Sequence, residues 1–274
     1  MNFESKTTPT AVKNGVTFIT FPKLNSTGIV HCGFSTRLGG VSSGYFSTMN
    51  MSFSRGDDRE CVLENYRRLC SALEIDISQL VFSKQTHTKN VKVVNRSHCG
   101  TGLTKPSFED IDGLITAEKG VALVTQYADC TPLLFCDPVK KVIAASHSGW
   151  RGTVQQIGAV TVSKMTSEFG CDPKDIIAAI GPCIGPCCYE VDMPVYNEFE
   201  KLPISLDGVL VPSSPEHFML DLRLANKRIL QSSGVREENI EISDICTCCN
   251  SDFMFSHRSA GAKRGNLAAI ISLF

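Results

Sequence analysis

Four apolar runs of strand length follow one another closely in the middle of the chain. They are Gly113–Thr116, Val121–Thr125, Leu133–Cys136 and Val142–Ser146. The last two are apolar enough for strands that are buried on both faces. Because these runs lack the regular alternation of strand and helix, they argue against a doubly wound parallel sheet. The sequence therefore predicts an α+β fold with mixed β-sheets that a few helices cover.

The predicted helices are separated along the chain by further short strands. Helical spacing of apolar residues predicts helices over Asp58–Leu73, Thr153–Phe169 and Asp221–Gln231, with Asp57 or Asp58 as an N-cap and Gly170 as a stop. No repeat or long linker divides the chain, so residues 1–274 are predicted to form a single domain with a loosely ordered segment at residues 1–14. The remaining strands are predicted at Val16–Phe21, Val30–Ser35, Leu80–Ser83, Val91–Val94, Ile176–Ile180, Ile240–Ile245 and Leu267–Leu273.

The charge balance gives no electrostatic reason to expect nucleic acid or an acidic membrane as a partner. The chain has 27 basic and 28 acidic residues, for a formal net charge of -1. Its polar N-terminus lacks the apolar core of a signal peptide, and no apolar stretch is long enough to cross a bilayer. We therefore expect a cytoplasmic protein, and we expect most of its 13 cysteines to be thiols.

A predicted hairpin brings a cysteine and a histidine together. Asp137-Pro138-Val139-Lys140 has the composition of a tight turn. If this turn closes a hairpin, Cys130 faces His147 across the ladder. A proline at the second position disfavours the usual two-residue hairpin turns, so a bulge could shift this register.

A thiolate and an imidazole at strand ends suit Zn²⁺. A catalytic zinc needs about three protein ligands and one open position. We take His87 as the third ligand, because Gln85-Thr86-His87-Thr88 is a polar loop between two strands. Taken singly, each residue has an ordinary alternative: His87 as a surface histidine, Cys130 as a buried thiol, and His147 as a strand cap.

Three other segments could contribute to the same cleft. The turn Ser148–Gly152 offers backbone N–H groups and Arg151 to an anion, or it is simply a tight strand-to-helix turn. The segment Ser35–Gly40 carries Arg37, and Phe255–Arg258 carries a histidine and an arginine. For each of these two, the alternative is a solvated loop charge.

Two cysteine-rich segments invite a second metal site. They are Cys183–Cys188 and Cys246–Cys249. Together they do not form the paired C-x-x-C pattern of zinc ribbons and ferredoxins. The sequence therefore favours thiols over a second metal site here.

Several motifs together make the chain resemble the YfiH family, also called laccase-domain proteins. ADC-x-P and H-x-GWRG in this order are the most specific of them. The resemblance implies stacked mixed β-sheets flanked by helices, similar to a toxin deamidase. It also implies zinc bound by His87, Cys130 and His147. The matching pieces are GFSTRLGGVS, MNMSF, KQTH, DIDGLIT, ADCTPLL, SHSGWRG, IGPCIGPCCYEV, DLRLAN and FSHR.

The resemblance further implies action on purine nucleosides. The expected reactions are phosphorolysis of adenosine, inosine, guanosine and methylthioadenosine, and hydrolytic deamination of adenosine, with nucleoside and phosphate as the partners of a monomer. For these reactions we take Arg37 as the residue that binds phosphate or ribose, with Arg258 second, and Asn50 as a hydrogen-bonding partner of the sugar or phosphate. Asp129 and His257 are candidates for proton transfer.

Other classes of protein remain open at this stage. Cys130 with His147 as its base also describes a cysteine hydrolase or deamidase. Editing of peptidoglycan precursors has been proposed for the family, and its older description is copper polyphenol oxidase. Only 6 histidines and no H-x-H pair make four-copper chemistry the least favoured alternative, although Cu²⁺ could substitute for zinc at one site. A closed four-ligand site would instead indicate a non-enzymatic zinc-binding protein.

Overall fold

The strands and helices alternate irregularly along the chain. The computed structural model describes residues 5–274. Its strands are β1 (Thr10–Lys13), β2 (Val16–Ile19), β3 (Val30–Ser35), β4 (Leu80–Val81), β5 (Val91–Val93), β6 (Gly113–Thr116), β7 (Ala122–Tyr127), β8 (Thr131–Asp137), β9 (Val142–Ser148), β10 (Ile177–Ile180), β11 (Glu190–Asp192), β12 (Leu210–Ser214), β13 (His217–Leu220), β14 (Ile240–Ile242) and β15 (Leu267–Leu273). Its α-helices are α1 (Pro22–Asn25), α2 (Arg59–Leu73), α3 (Trp150–Val154), α4 (Ile157–Phe169), α5 (Met193–Glu200), α6 (Leu222–Ser232) and α7 (His257–Ala260).

Two six-stranded sheets form the body of the fold. The first has the order β1-β2-β3-β15-β7-β4, and the second has the order β14-β10-β8-β9-β6-β5. Most neighbours are antiparallel, but β4 pairs with β7, β5 with β6, and β10 with β14 in parallel. The prediction of mixed sheets in an α+β fold is confirmed. The structure also contains a small third sheet, β11-β13-β12, whose strands the sequence did not predict.

The core lies in three apolar layers. The central layer fills the space between the two large sheets, with Phe34 and Leu123 from the first sheet and Leu134 and Ala145 from the second. Helix α2 covers the outer face of the first sheet, and helices α4 and α6 cover the second. The sheets are therefore stacked and flanked by helices. None of the helices within residues 5–274 is long and apolar enough to cross a membrane.

The predicted helix over Thr153–Phe169 is two helices. Helix α3 begins earlier, at Trp150, and α4 begins at Ile157. Between them Gln156 has a φ of 57°, in the left-handed region, which ends the first helix. In contrast, α2 begins where predicted, because the Asp58 carboxylate accepts a hydrogen bond from the Glu60 N–H.

The prediction that residues 1–14 are loosely ordered is wrong for most of the described part of that segment. Strand β1 pairs with β2 at the edge of the first sheet. Thr8 is fully buried, and its hydroxyl lies 2.7 Å from that of Ser243. Strand β1 has only four residues, and its apolar and polar residues alternate too little for it to be recognised as a strand. Residues 1–4 lie outside the described residues.

The predicted hairpin register is also wrong. Strands β8 and β9 are closed by the pair Asp137 and Val142, so the loop is longer than the expected turn. The Asp137 carboxylate accepts hydrogen bonds from the N–H groups of Val139 and Lys140, which stabilises this longer loop. Pro132 therefore faces His147, and Cys130 lies just before β8.

A buried acid in β14 makes the stability of the fold dependent on pH. Glu241 is buried, and burial raises the pKa of its carboxyl from 4.5 to about 7. Its carboxylate accepts a hydrogen bond from the Lys23 N–H. A carboxyl whose folded pKa is raised destabilises the fold as pH rises from 4.5 through 7, because only the unfolded chain ionises freely in that window.

We expect Glu241→Gln to raise the free energy of unfolding by about 1–3 kcal/mol above pH 7, because glutamine keeps the acceptor without the charge. Below pH 4.5 the variant and the parent should be equally stable. Urea unfolding across this range measures the effect, with the exposed neighbour Glu238→Gln as the control. A pH-independent difference would show that Glu241 does not ionise in this window.

Candidate metal centre and active-site cleft

Three side chains from separate parts of the chain converge on one point. One ligand atom from each of His87, Cys130 and His147 lies within 4.8 Å of the other two. The two imidazole rings have centroids 4.9 Å apart and meet at 65°. His87 belongs to the loop between β4 and β5, Cys130 precedes β8, and His147 lies near the end of β9. The structure therefore brings together the three residues that the sequence analysis selected as ligands.

A buried carboxylate holds two of these side chains in place. Asp112 is fully buried, and it accepts hydrogen bonds from the backbone N–H groups of Thr86, His87 and Thr88. Its Oδ1 also lies 2.8 Å from Nδ1 of His147. His87 has a φ of 66°, so the loop turns sharply around this carboxylate. Asp112 thus fixes both the His87 loop and the orientation of the His147 ring, a role that the sequence analysis missed.

A glycine next to the three side chains makes room for them. A Cβ atom at Gly149 would lie 2.9 Å from the Cys130 sulfur and 2.9 Å from Nδ1 of His87. Both distances are shorter than ordinary van der Waals contacts. Asp129, directly before Cys130, has a φ of 87°, which bends the chain toward the same point. Any side chain at position 149 would therefore push the two flanking groups apart.

The ionisation of the two histidines differs. Burial opposes a charge on His147, but the negative charge of Cys130 and the hydrogen bond to Asp112 raise its pKa to about 9. Burial and the charge of His147 lower the pKa of His87. Although burial opposes it, the hydrogen bond with His147 lowers the pKa of Asp112. His147 is therefore the more readily protonated of the two imidazoles, and a metal ion that binds it must displace its proton.

The donor set fits a divalent metal ion of the zinc type. Two imidazole nitrogens and one thiolate sulfur are donors that Zn²⁺ accepts in a catalytic site, with one position left for water or substrate. A ligating histidine usually donates its other N–H to a carboxylate. Asp112 provides that carboxylate for His147 and leaves its Nε2 for the ion.

Two cavities adjoin this group: all three side chains line the first, and His87 and Cys130 also line the second. The first has a volume of about 540 Å³, and the second has a volume of about 420 Å³. His87, Cys130 and His257 contribute to the walls of both. The two cavities therefore share walls next to the three possible ligands. The first cavity is further lined by Phe53, Arg55, Phe82, Gln126, His147, Arg264 and Asn266, and the second by Trp150, Arg151, Tyr189, Leu222 and Arg258.

The predicted residues His257 and Arg258 lie at this cleft. Both belong to α7, whose first turn is capped by the Ser256 side chain. The Arg258 N–H donates to the Asp129 carboxylate at 2.6 Å, and its guanidinium donates to the carbonyls of Cys188 and Glu190. The other Asp129 oxygen accepts a hydrogen bond from Thr247. Asp129 therefore positions α7, which leaves His257 as the better placed of the two proton-transfer candidates.

The structure does not bring Arg37 and Asn50 to the cleft. The Arg37 guanidinium donates to the carbonyls of Ser47 and Ser251 and stacks over Phe255. Asn50 is fully buried, where its side chain accepts hydrogen bonds from backbone N–H groups of the surrounding loops. Within the described chain, other residues form the walls of both cavities. The structure thus gives Arg37 and Asn50 contacts within the loops, and their contact with substrate stays a prediction.

Arg264, a buried arginine that was not selected from the sequence, lies on the wall of the first cavity. Arg264 is 6% exposed, and Nη1 of its guanidinium donates to the Gly265 carbonyl and to the Asn266 side chain. Within residues 5–274 its buried Nε finds no hydrogen-bond partner. Burial and then the charge of Arg55 lower the pKa of Arg264 to about 10. The segment around it reads as a solvated basic loop, so the sequence carried no signal for this residue.

The fold and the site define the class of the protein: a single-domain α+β protein of two stacked mixed sheets, with a His₂Cys group at a deep cleft. A family model described as "Multi-copper polyphenol oxidoreductase laccase" matches residues 31–274. The chain belongs to this family, the YfiH family of laccase-domain proteins.

Individual relatives align over nearly the whole chain. Purine nucleoside phosphorylase YlmD of Bacillus subtilis is 36% identical over 89% of this chain and 88% of its own length. Adenosine deaminase RL5, from an unknown prokaryotic organism, is 33% identical over 85% of this chain and 90% of its own length. The crystal structure of the hypothetical protein YfiH of Bacillus licheniformis superimposes with a TM-score of 0.92 at 30% identity and covers 97% of this chain and 99% of that chain.

We expect Asp112→Asn to lower the free energy of unfolding by about 2–4 kcal/mol, because an amide nitrogen would face buried N–H donors. Urea unfolding measures this loss, and hydrogen exchange at residues 86–88 locates it. The control is Asp110→Asn, which alters an exposed carboxylate that bonds the Thr86 hydroxyl. Equal stability of the two variants would show that Asp112 does not hold the loop.

Proposed function

We propose that this chain is a purine nucleoside phosphorylase that also catalyses the hydrolytic deamination of adenosine. Relatives that carry these two names align with it over at least 85% of its length. The observation that carries the proposal is the convergence of His87, Cys130 and His147 on the wall of the first cavity, next to a second cavity that His87 and Cys130 also line. Phosphorolysis of methylthioadenosine is proposed for the same cleft.

The proposed metal is Zn²⁺, held by His87, Cys130 and His147. A bound Zn²⁺ supplies a Lewis acid and a means of generating a hydrolytic nucleophile near neutral pH. The protein's part is to orient the ligands, through Asp112 on His147 and through the space that Gly149 leaves. Cu²⁺ binds such donors tightly and is the proposed substitute.

For phosphorolysis, the chain must hold a phosphate dianion beside the ribose. An oxygen of phosphate attacks the anomeric carbon, the bond to the purine nitrogen breaks, and the purine takes up a proton as it leaves. Arg264 and Arg55 both line the first cavity, and an anion there would relieve the repulsion between their charges. The buried Nε of Arg264 gives that anion a donor without another partner in the described chain. We propose this pair as the phosphate contact.

The second cavity offers surfaces for the base and a proton carrier. Trp150, Tyr189 and Leu222 provide flat and apolar walls that suit a purine. His257 lines both cavities, so it is within reach of a nucleoside in either position. We propose His257 as the group that transfers a proton to the departing base, and Arg258 as a second anion contact.

A cysteine hydrolase is the second candidate function, because one feature of the site favours it. His147 bonds Asp112 through Nδ1, and one of its ring nitrogens lies within 4.8 Å of the Cys130 sulfur. This is the order of groups in a thiol, imidazole and carboxylate triad. His87 has no role in such a triad, although it also lies within 4.8 Å of Cys130. Chelation separates the two candidates, because a triad does not need a metal.

We expect Cys130→Ala to lose both the bound metal and the turnover of adenosine, while the control Cys61→Ala keeps both. Metal content is measured by elemental analysis, and products are measured with and without phosphate. The parent should release inosine from adenosine without phosphate, and adenine with ribose phosphate when phosphate is present. Full activity in the chelated parent protein would favour the cysteine hydrolase and end the metal mechanism.

We expect Arg264→Lys to raise the KM for phosphate about 10- to 100-fold, because lysine keeps the charge but loses the forked donors. Deamination of adenosine, which uses no phosphate, should change much less. The exposed Arg236→Lys is the matched control. An unchanged KM for phosphate would reassign the anion site to another arginine.

The proposed location is the cytoplasm. All 13 cysteines are free thiols in the structure, including the exposed Cys187 and Cys249. Free thiols at the surface persist in a reducing compartment.

A further inference from the structure

A second group of possible metal ligands lies apart from the cleft. Cys187 and Cys188 follow β10, and Cys246 and Cys249 follow β14. One sulfur from each of the four lies within 4.8 Å of the other three. The Cys249 sulfur is 3.4 Å from that of Cys187 and 3.3 Å from that of Cys188. We propose that these four cysteines bind a structural Zn²⁺ ion, distinct from the metal centre of the cleft.

Backbone contacts bring the two cysteine segments together. The Thr247 N–H donates to the Cys183 carbonyl at 3.0 Å, which aligns the loops after β10 and β14 side by side. Gly185 permits the close approach, because a Cβ there would lie 3.2 Å from Cys246 and 3.3 Å from the Cys187 sulfur. The cluster is therefore built by the parallel neighbours β10 and β14 and not by spacing in the sequence.

The sulfur positions match what a tetrahedral ion needs. Zn–S bonds of about 2.3 Å place the sulfurs of a four-thiolate site about 3.8 Å apart. Two of the sulfur pairs are 3.3 Å and 3.4 Å apart, and every pair lies within 4.8 Å, so the four sulfurs can surround one ion. Cys246 and Cys249 form a C-x-x-C turn, and adjacent cysteines replace the second such turn. Small rotations of the exposed Cys187 and Cys249 side chains suffice to close the site.

Backbone N–H groups hold one of the four sulfurs in place. The Cys246 sulfur accepts hydrogen bonds from the N–H groups of Gly185 and Cys249, at 3.2 Å and 3.5 Å. Donors of this kind stabilise a thiolate that binds a metal ion. The position of the Cys246 sulfur is therefore set by the backbone of both cysteine segments.

Zinc binding at the four cysteines requires no oxidation or reduction. Four thiols give up four protons to solvent and form four Zn–S bonds, so no oxidant is needed. The resulting site carries a net charge of about -2, and two arginines flank it. Arg258 donates to the Cys188 carbonyl, and Arg223 reaches to Gly185. All four coordination positions are filled by protein, as in zinc sites that hold loops together. Such an ion would fix the loop that carries Tyr189 to the cleft.

The test is zinc X-ray absorption on the full chain with the cleft site removed by His87→Ala and Cys130→Ala together. This variant should retain about one zinc per chain, with about four sulfur neighbours at roughly 2.3 Å. The unaltered protein should hold about two zinc ions. Absence of zinc from the variant, or a zinc shell of nitrogen and oxygen, would overturn the proposal. A disulfide among the four cysteines in non-reducing peptide mapping would also overturn it.

A second comparison uses the cluster itself. Cys249→Ser should lose about one zinc per chain and the strong thiolate absorption of the cobalt-substituted protein. The control Cys248→Ser alters a thiol of the same loop that is not one of the four, and it should lose neither. Equal zinc content in these two variants would contradict the proposed ligand set. The outcome is independent of the cleft, because each site is emptied by its own variants.

Discussion

The hydrogen bonds of the Asp112 carboxylate hold the candidate active site together. This side chain sits at the start of β6, where both large sheets and the His87 loop come close. Its oxygens satisfy three consecutive N–H groups and orient one imidazole. A buried carboxylate without such partners would be costly, whereas Asp112 has five, the fifth being the Thr88 hydroxyl, and they favour its ionised form. The loop can therefore be short and irregular and still present His87 at a fixed position.

The stacked sheets explain why some side chains of the cleft are buried and others are exposed. Strands β8 and β9 lie at the centre of the second sheet, so Cys130 and His147 are held by a packed core on both sides. The more exposed groups, His257 and Arg258, come from a short helix that leans on Asp129. Cys130 and His147 are thus more buried than His257 and Arg258, which line the cavities beside them. The family description names several coppers, but the two possible metal-binding groups among residues 5–274 contain only two histidines between them.

Much of the fold was predictable, and the reasons for the failures are physical. Strands β3, β6 and β15 were predicted with the observed bounds, because each is bordered by clear turn residues and is buried along its length. The edge strand β1 and the small sheet were missed, since short, half-exposed strands lack a strong pattern. The metal trio was found although the hairpin register was wrong. Cys130 reaches His147 because Gly149 leaves space, not because the two face each other across the ladder.

The remaining differences concern contacts between distant segments. Arg37 resembled an anion contact in the sequence, but carbonyls of two other loops occupy its donors. Asp112, Arg264 and the four-cysteine group depend on which loops meet in space, and no local pattern reports that.

The most direct test of the account is an anomalous difference map at the zinc absorption edge, from crystals grown with Zn²⁺ as the only added metal. The account predicts a peak bonded to His87, Cys130 and His147. A map without density at that point, or with an ion bound by other side chains while Cys130 remains a free thiol, would contradict it.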